Sequence, residues 1–178
     1  MAHELSITAI GADRPGVVAG VTGALAALDA NLEDTSMTIL GGRFAMVLIV
    51  EVPEEVDVAA VEVALAFPAS ELHLDISVHP SDPTGASSEG ERWSVSVYGA
   101  DRPGIVHRFA LALADARVNI TDLATRVIGD PARPVYAMLL DVVIPEDVDA
   151  ATVESQLRAI AGELEVECSM HAADADIL

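Results

Sequence analysis

Gly11-Ala12-Asp13-Arg14-Pro15-Gly16 returns unchanged as Gly99-Ala100-Asp101-Arg102-Pro103-Gly104, 88 residues later. At the same offset Val18 meets Val106, Leu25 meets Leu113, Asn31 meets Asn119 and Asp34 meets Asp122. Further along the offset becomes 92: Met46 meets Met138, Pro53 meets Pro145, Asp57 meets Asp149 and His79 meets His171. Matches that run this far at one spacing mark an internal duplication. The four extra residues fall in Gly129-Asp130-Pro131-Ala132-Arg133-Pro134, a cluster of turn formers, and an insertion at a hairpin tip costs little. Between the copies, residues 79–90 are rich in Pro, Gly and Ser and carry no apolar period, which reads as a linker. The expected organisation is a domain over 1–80, a linker over 81–91 and a second domain over 92–178. Each copy is small for a stable core, so the copies are expected to pack on each other or on a second chain.

Each copy reads β-α-β-β-α-β. In the first, Leu5, Ile7 and Ala9 alternate along a strand, and Pro15 suits the first turn of a helix. Val17, Val21, Leu25 and Leu28 follow at helical spacing, and Asn31 ends the helix and opens a strand to about Leu40. Gly41-Gly42 is a tight hairpin turn. Phe44 to Val52 is nearly continuous in apolar residues and is expected to be a strand buried on both faces. Asp57 caps a helix that faces Val58, Val61 and Leu65 inward, and Leu72, Leu74, Ile76 and Val78 alternate along a last strand. The second copy repeats this, with strands near 92–100, 119–128, 134–144 and 164–171 and helices near 103–117 and 149–161. Two helices and four strands in that order predict an α/β (α+β) chain of two ferredoxin-like domains, each with both helices on one face of an antiparallel sheet.

Composition narrows the function. The formal charge is −20, and the nine basic residues are scattered, which disfavours direct nucleic-acid binding. The charge serves solubility, or an acidic face that docks on a basic partner. Aromatics are only 3% of the chain, so the core must be built from aliphatic residues. The lone cysteine, Cys168, cannot form an intramolecular disulfide and sits among alternating apolar residues, as a core thiol in a cytoplasmic protein would. No basic start followed by an apolar run opens the chain, and the longest uncharged stretch, Pro15 to Leu28, is short for a membrane span. His3, His73, His79, His107 and His171 show no metal spacing, and nothing in the spacing of Asp13, Asp34, Asp101 and Asp122 supports a hard-cation site. No nucleophile–base pair, phosphate loop or dinucleotide fingerprint is visible, so neither an enzyme nor a cofactor is expected.

Asp-Arg-Pro-Gly at a strand-to-helix junction, followed fifteen residues after the Gly by Asn31 or Asn119, resembles the ACT domain signature. Ala30-Asn31-Leu32 and Val118-Asn119-Ile120 stand where that family commonly has Gly-x-Asn-Ile. The resemblance spans both copies. Two such domains with no catalytic domain attached resemble the glycine cleavage system transcriptional repressor family. That implies a sensor of a small amino acid, such as glycine or serine, acting through a regulator or enzyme partner. The resemblance also implies domains side by side in one continuous sheet, within the chain or across a homodimer. In amino-acid-binding members the ligand lies between paired domains, touching this loop and the start of the second strand.

The loop chemistry fits such a ligand. A helix N-terminus offers free N–H groups and a partial positive charge to a carboxylate, and Gly16 lets the backbone approach closely. The N–H groups of Gly16 and Val17 would take the carboxylate, and Asp13 with the Asn31 side-chain carbonyl would take the ammonium. Gly104, Ile105, Asp101 and Asn119 would do the same in the second copy. Arg14 and Arg102 either add to the carboxylate site or form salt bridges. A plainer reading of the same residues stands beside this: Asp13 caps its helix, and Asn31 holds a left-handed turn at the helix end. One departure from the family bears on the ligand. Some members have a histidine two residues before the Asp position, where this chain has Gly11 and Gly99.

Overall fold

The computed structural model describes residues 2–81, 89–130 and 133–173. The central part of the expected linker and residues 131 and 132 of the expected insertion lie outside these. The backbone divides into two compact units, Met1–Gly85 and Ala86–Leu178.

The first unit runs β1 (His3–Ala12), α1 (Val17–Ala26), β2 (Asn31–Leu40), β3 (Arg43–Val52), α2 (Val58–Leu72) and β4 (Leu74–Pro80). The second runs β5 (Glu91–Gly99), α3 (Ile105–Asp115), β6 (Asn119–Asp130), β7 (Arg133–Ile144), α4 (Ala150–Leu164) and β8 (Val166–Ala172). The sheets are ordered β2-β3-β1-β4 and β6-β7-β5-β8, with every pairing antiparallel. This is the ferredoxin-like α+β fold, made twice.

Each unit has its own core between sheet and helices. In the first, Leu5, Ile7 and Ala9 of β1 meet Val17, Val21 and Leu25 of α1 and Val61 and Leu65 of α2. In the second, Phe109 of α3 takes the place that Val21 holds in α1 and packs with Val95, Val97, Met138 and Leu157. Asp57 accepts a hydrogen bond from the Ala60 N–H at 2.8 Å, and Asp149 accepts one from the Thr152 N–H at 3.0 Å. Both therefore cap their helices as the sequence implies.

Three local expectations are corrected. β3 is not buried on both faces: alternate residues reach solvent on the face away from the helices, and Val47 is 47% exposed. A sheet with helices on one face only leaves the other face uncovered. Leu72 closes α2 and does not open a strand, because it continues the 4-3-4 spacing of Val61, Leu65 and Pro68. The left-handed residue after α1 is Asp29, with φ 55°, and not Asn31; its counterpart after α3 is Arg117, with φ 60°. In both turns the residue just before the strand closes on the helix: Ala30 N–H donates to the Leu25 carbonyl and Val118 N–H to that of Leu113.

Cys168 lies half-buried on β8 against the second core. Burial, first of all, pushes its thiol up to about 11, with Arg158 opposing and Glu154 adding to the shift. At pH 8 such a thiol holds roughly a hundredfold less thiolate than an ordinary one. Disulfide exchange with a chromogenic reagent is expected to run at least tenfold slower on the folded chain than in denaturant. Equal rates would show the thiol to be open.

Candidate functional site

In both units the Asp-Arg-Pro-Gly turn delivers the chain from the end of the central strand into a helix that no side chain caps. Gly16 and Gly104 occupy the cap positions of α1 and α3 at φ 94° and 93°, a left-handed conformation that favours glycine. Capping by Asp13 or Asp101 is therefore not what holds these helix starts. The Asp13 backbone N–H instead donates to the Gly42 carbonyl at 3.0 Å, tying the loop to the β2–β3 hairpin. The carboxylates of Asp13 and Asp101 stand on exposed residues beside the open helix ends. Val17 and Ile105 are 2% and 1% exposed, so their side chains belong to the core, and the Val17 N–H donates a long hydrogen bond of 3.4 Å to the Arg14 carbonyl.

Asn31 is not part of that cluster within its own unit. β1 and β3 pair from Ala12↔Arg43 at the loop end to His3↔Val52 at the other, and Asn31 pairs with Glu51. The ten residues of β2 therefore separate Asn31 from the loop, about 30 Å at the usual strand rise. Asn31 Nδ2 donates to Glu33 Oε1. Asn119 pairs with Val143 at the corresponding far end of β6.

The two loops differ in their surroundings. Arg102 forms an ion pair with Glu165 at the α4–β8 turn. The counterpart of Glu165 in the first unit is His73, and among the described residues Arg14 has no ion-pair partner. Tyr136, opposite Gly99 on β7, is 8% exposed and hydrogen-bonds to Thr125. Burial raises the phenol's pKa, the negative charge of Asp101 raises it further, and the Thr125 hydrogen bond opposes both. At the same places the first unit has Phe44 and Met37. Sequence reading missed Tyr136, Thr125 and Glu165. The swap of Phe and Met for Tyr and Thr across the repeat was the signal that could have found the first two.

Gly11 and Gly99 are fixed by packing. A Cβ on Gly11 would stand 2.9 Å from the His73 carbonyl oxygen, and one on Gly99 would stand 2.6 Å from Val166 Cγ1. Among the described residues no group of three or more His, Cys, Asp or Glu gathers as metal ligands, and no helix is long and apolar enough to cross a membrane.

Comparison with known proteins agrees with this architecture. The ACT domain family model matches residues 3–79 and again 93–171. The glycine cleavage system transcriptional repressor of Escherichia coli is 33% identical over 179 residues, covering 95% of this chain and 90% of that protein. A UPF0237 protein of Methanopyrus kandleri is 44% identical over 77 residues, 43% of this chain and 86% of that one. A crystal structure from Galdieria sulphuraria superposes with a TM-score of 0.86 at 26% identity, over 97% of this chain and 99% of the other. With one match in each unit and a regulatory relative aligned along nearly its whole length, the chain belongs to the ACT domain family, as a tandem-domain regulatory member related to the glycine cleavage system transcriptional repressors and not an enzyme.

Proposed function

We propose that this regulatory protein binds a small amino acid, such as glycine or serine, and through it modulates a partner regulator or enzyme in the cytoplasm. It works without a cofactor and without gripping nucleic acid, with domains over 1–80 and 92–178 joined by the segment 81–91. The observation that carries this reading is the pair of uncapped helix N-termini at Gly16 and Gly104, each beside an exposed carboxylate. The amides of Gly16, Val17, Gly104 and Ile105 suit a carboxylate, and Asp13 and Asp101 suit an ammonium.

The 30 Å between loop and asparagine supports a ligand held between units, with Asn31 or Asn119 supplied from the neighbouring sheet. β2 and β6 are edge strands, and Met37 and Ile39 on β2 are half exposed, which supports extension of the sheet across a homodimer or within the chain. Ligand acts only by favouring one such arrangement over another. Titration calorimetry with the common amino acids is expected to find at least one that binds. Asp13→Ala combined with Asp101→Ala is expected to weaken it at least tenfold. Silence with every amino acid would sink the reading.

A second reading is favoured by Gly11 and Gly99, where packing leaves no room for a polar ligand contact. In it, the domain pair is a protein–protein module that needs no ligand, and capture of its partner is indifferent to every amino acid.

A further inference from the structure

The helix layers of the two units differ at the cleft between their helices. In the first unit a groove of about 530 Å³ opens between α1 and α2, lined chiefly by Gly20, Ala24, Phe67, Pro68, Leu72 and Glu71. Phe67 is 75% exposed at its wall, and Val63, one turn earlier on α2, is 76% exposed. In the second unit Arg108 stands at the position of Gly20, and it forms an ion pair across the helices with Glu163, the counterpart of Glu71. Ala159 and Ile160 replace Phe67 and Pro68 there. The same cleft is thus bridged by charge in one repeat and left open and apolar in the other. An apolar surface rimmed by polar groups marks an interaction site more often than a lone exposed residue does.

Charge selects the occupant. α1 carries no charged residue, and the charged residues of α2 are Glu62 and Glu71, both acidic. Glu71 alone of these lines the groove, so a second copy of this face would set Glu71 against its own kind, in a chain of net charge −20. A helix with leucine-like anchors on one side and Arg or Lys beside them meets both the apolar floor and the acidic rim.

We propose that the α1–α2 groove of the N-terminal unit is the docking site for a basic amphipathic helix of the partner protein. The proposal rests on the regulatory reading for the existence of a partner, but not on any amino acid being bound. Gly16 belongs both to this groove and to the ligand loop, so a docked helix ends beside the place where a ligand would sit.

The test uses the full chain without amino acids and a labelled synthetic helix of Leu on one face and Arg on the other, with a Leu and Glu helix as control. Fluorescence anisotropy at physiological salt is expected to show micromolar binding of the basic peptide and at least tenfold weaker binding of the acidic one. Phe67→Ala and Val63→Ala, both at exposed positions and checked for unchanged melting, are each expected to weaken the basic peptide at least fivefold. Gly20→Arg, which imports the Arg108 arrangement, is expected to do the same; Leu111→Ala on the second unit's exposed helix face is expected to do nothing. Equal affinity in the Phe67 and Val63 variants, or equal affinity for the two peptides, would overturn the proposal. So would a concentration-dependent dimer that Phe67→Ala disperses, since that assigns the groove to a second copy. Calorimetric failure with amino acids would leave it standing.

Discussion

Phe109→Ala is expected to unfold the second unit at a temperature at least 15 °C below that of the parent chain, while the first unit keeps its own transition. Phe109, in α3, is the largest fully buried side chain of that core, where aromatics are scarce. Removing a buried phenyl costs about 3–5 kcal/mol, from lost transfer free energy and from the cavity left behind. A domain of this size has roughly 5–15 kcal/mol in total, and each kcal/mol shifts its melting point by about 4–8 °C. The effect stays local because the two cores share no residue. Trp93, the only tryptophan, packs against the second core and reports on that unit alone. Its fluorescence transition should fall, while ellipticity retains a later step at the parent's temperature. A single transition moving as one, or an unmoved tryptophan signal, would contradict separate cores.

That local unfolding is expected at all follows from what the repeat made legible. The hexapeptide beginning at Gly11 and at Gly99 located the strand-to-helix turn twice, and everything downstream followed at nearly constant spacing. The caps Asp57 and Asp149 were readable because a carboxylate directly before an apolar helical run has one favourable use. Leu72 was not, because Val61, Leu65, Pro68 and Leu72 keep helical spacing while Leu72, Leu74, Ile76 and Val78 alternate as a strand does. One residue served both periods, and the helix kept it. The left-handed residue after α3 is an arginine, which gives no signal of that conformation in sequence.

The candidate site was legible at its loop and illegible across space. Asp13, Gly16, Asp101 and Gly104 stand where their sequence neighbours put them. Asn31 lies one strand length away from Asp13, because α1 carries the chain back along the sheet to its far end before β2 begins. Tyr136 and Thr125 reach the second loop only through the register of β7 with β5 and β6, which no local pattern reveals. Those two hydroxyl residues, where the first unit has Phe44 and Met37, leave the two loops chemically unequal despite identical motifs.

Grafting a histidine onto Gly11 or Gly99 is expected to cost stability without adding ligand affinity. The reason lies in the next strand. At Gly11 a Cβ would stand 2.7 Å from Leu74 Cδ2 and 2.9 Å from the His73 carbonyl oxygen. At Gly99 it would stand 2.6, 3.0 and 3.1 Å from Cγ1, Cβ and Cα of Val166. A leucine methyl can rotate away, but a backbone carbonyl and a Cα move only with the start of their strand. Leu74 and Val166 are also the residues that pair with Gly11 and Gly99, so the displaced atoms belong to the end of the β1–β4 and β5–β8 ladders. Overpacking of this kind costs about 1–3 kcal/mol, and more where backbone must shift. In urea titrations Gly99→His should lower the tryptophan midpoint, and Gly11→His should lower the midpoint of the other transition. Gly99→Ala should retain most of the loss, because its Cβ already makes the contact. Unchanged midpoints would mean that β4 and β8 yield freely, and that glycine at these positions is a choice about ligand. A loss already present in alanine would instead make the missing histidine a consequence of strand packing. Within its own unit, an amino acid at the loop would then have only the helix amides and the aspartate to hold it.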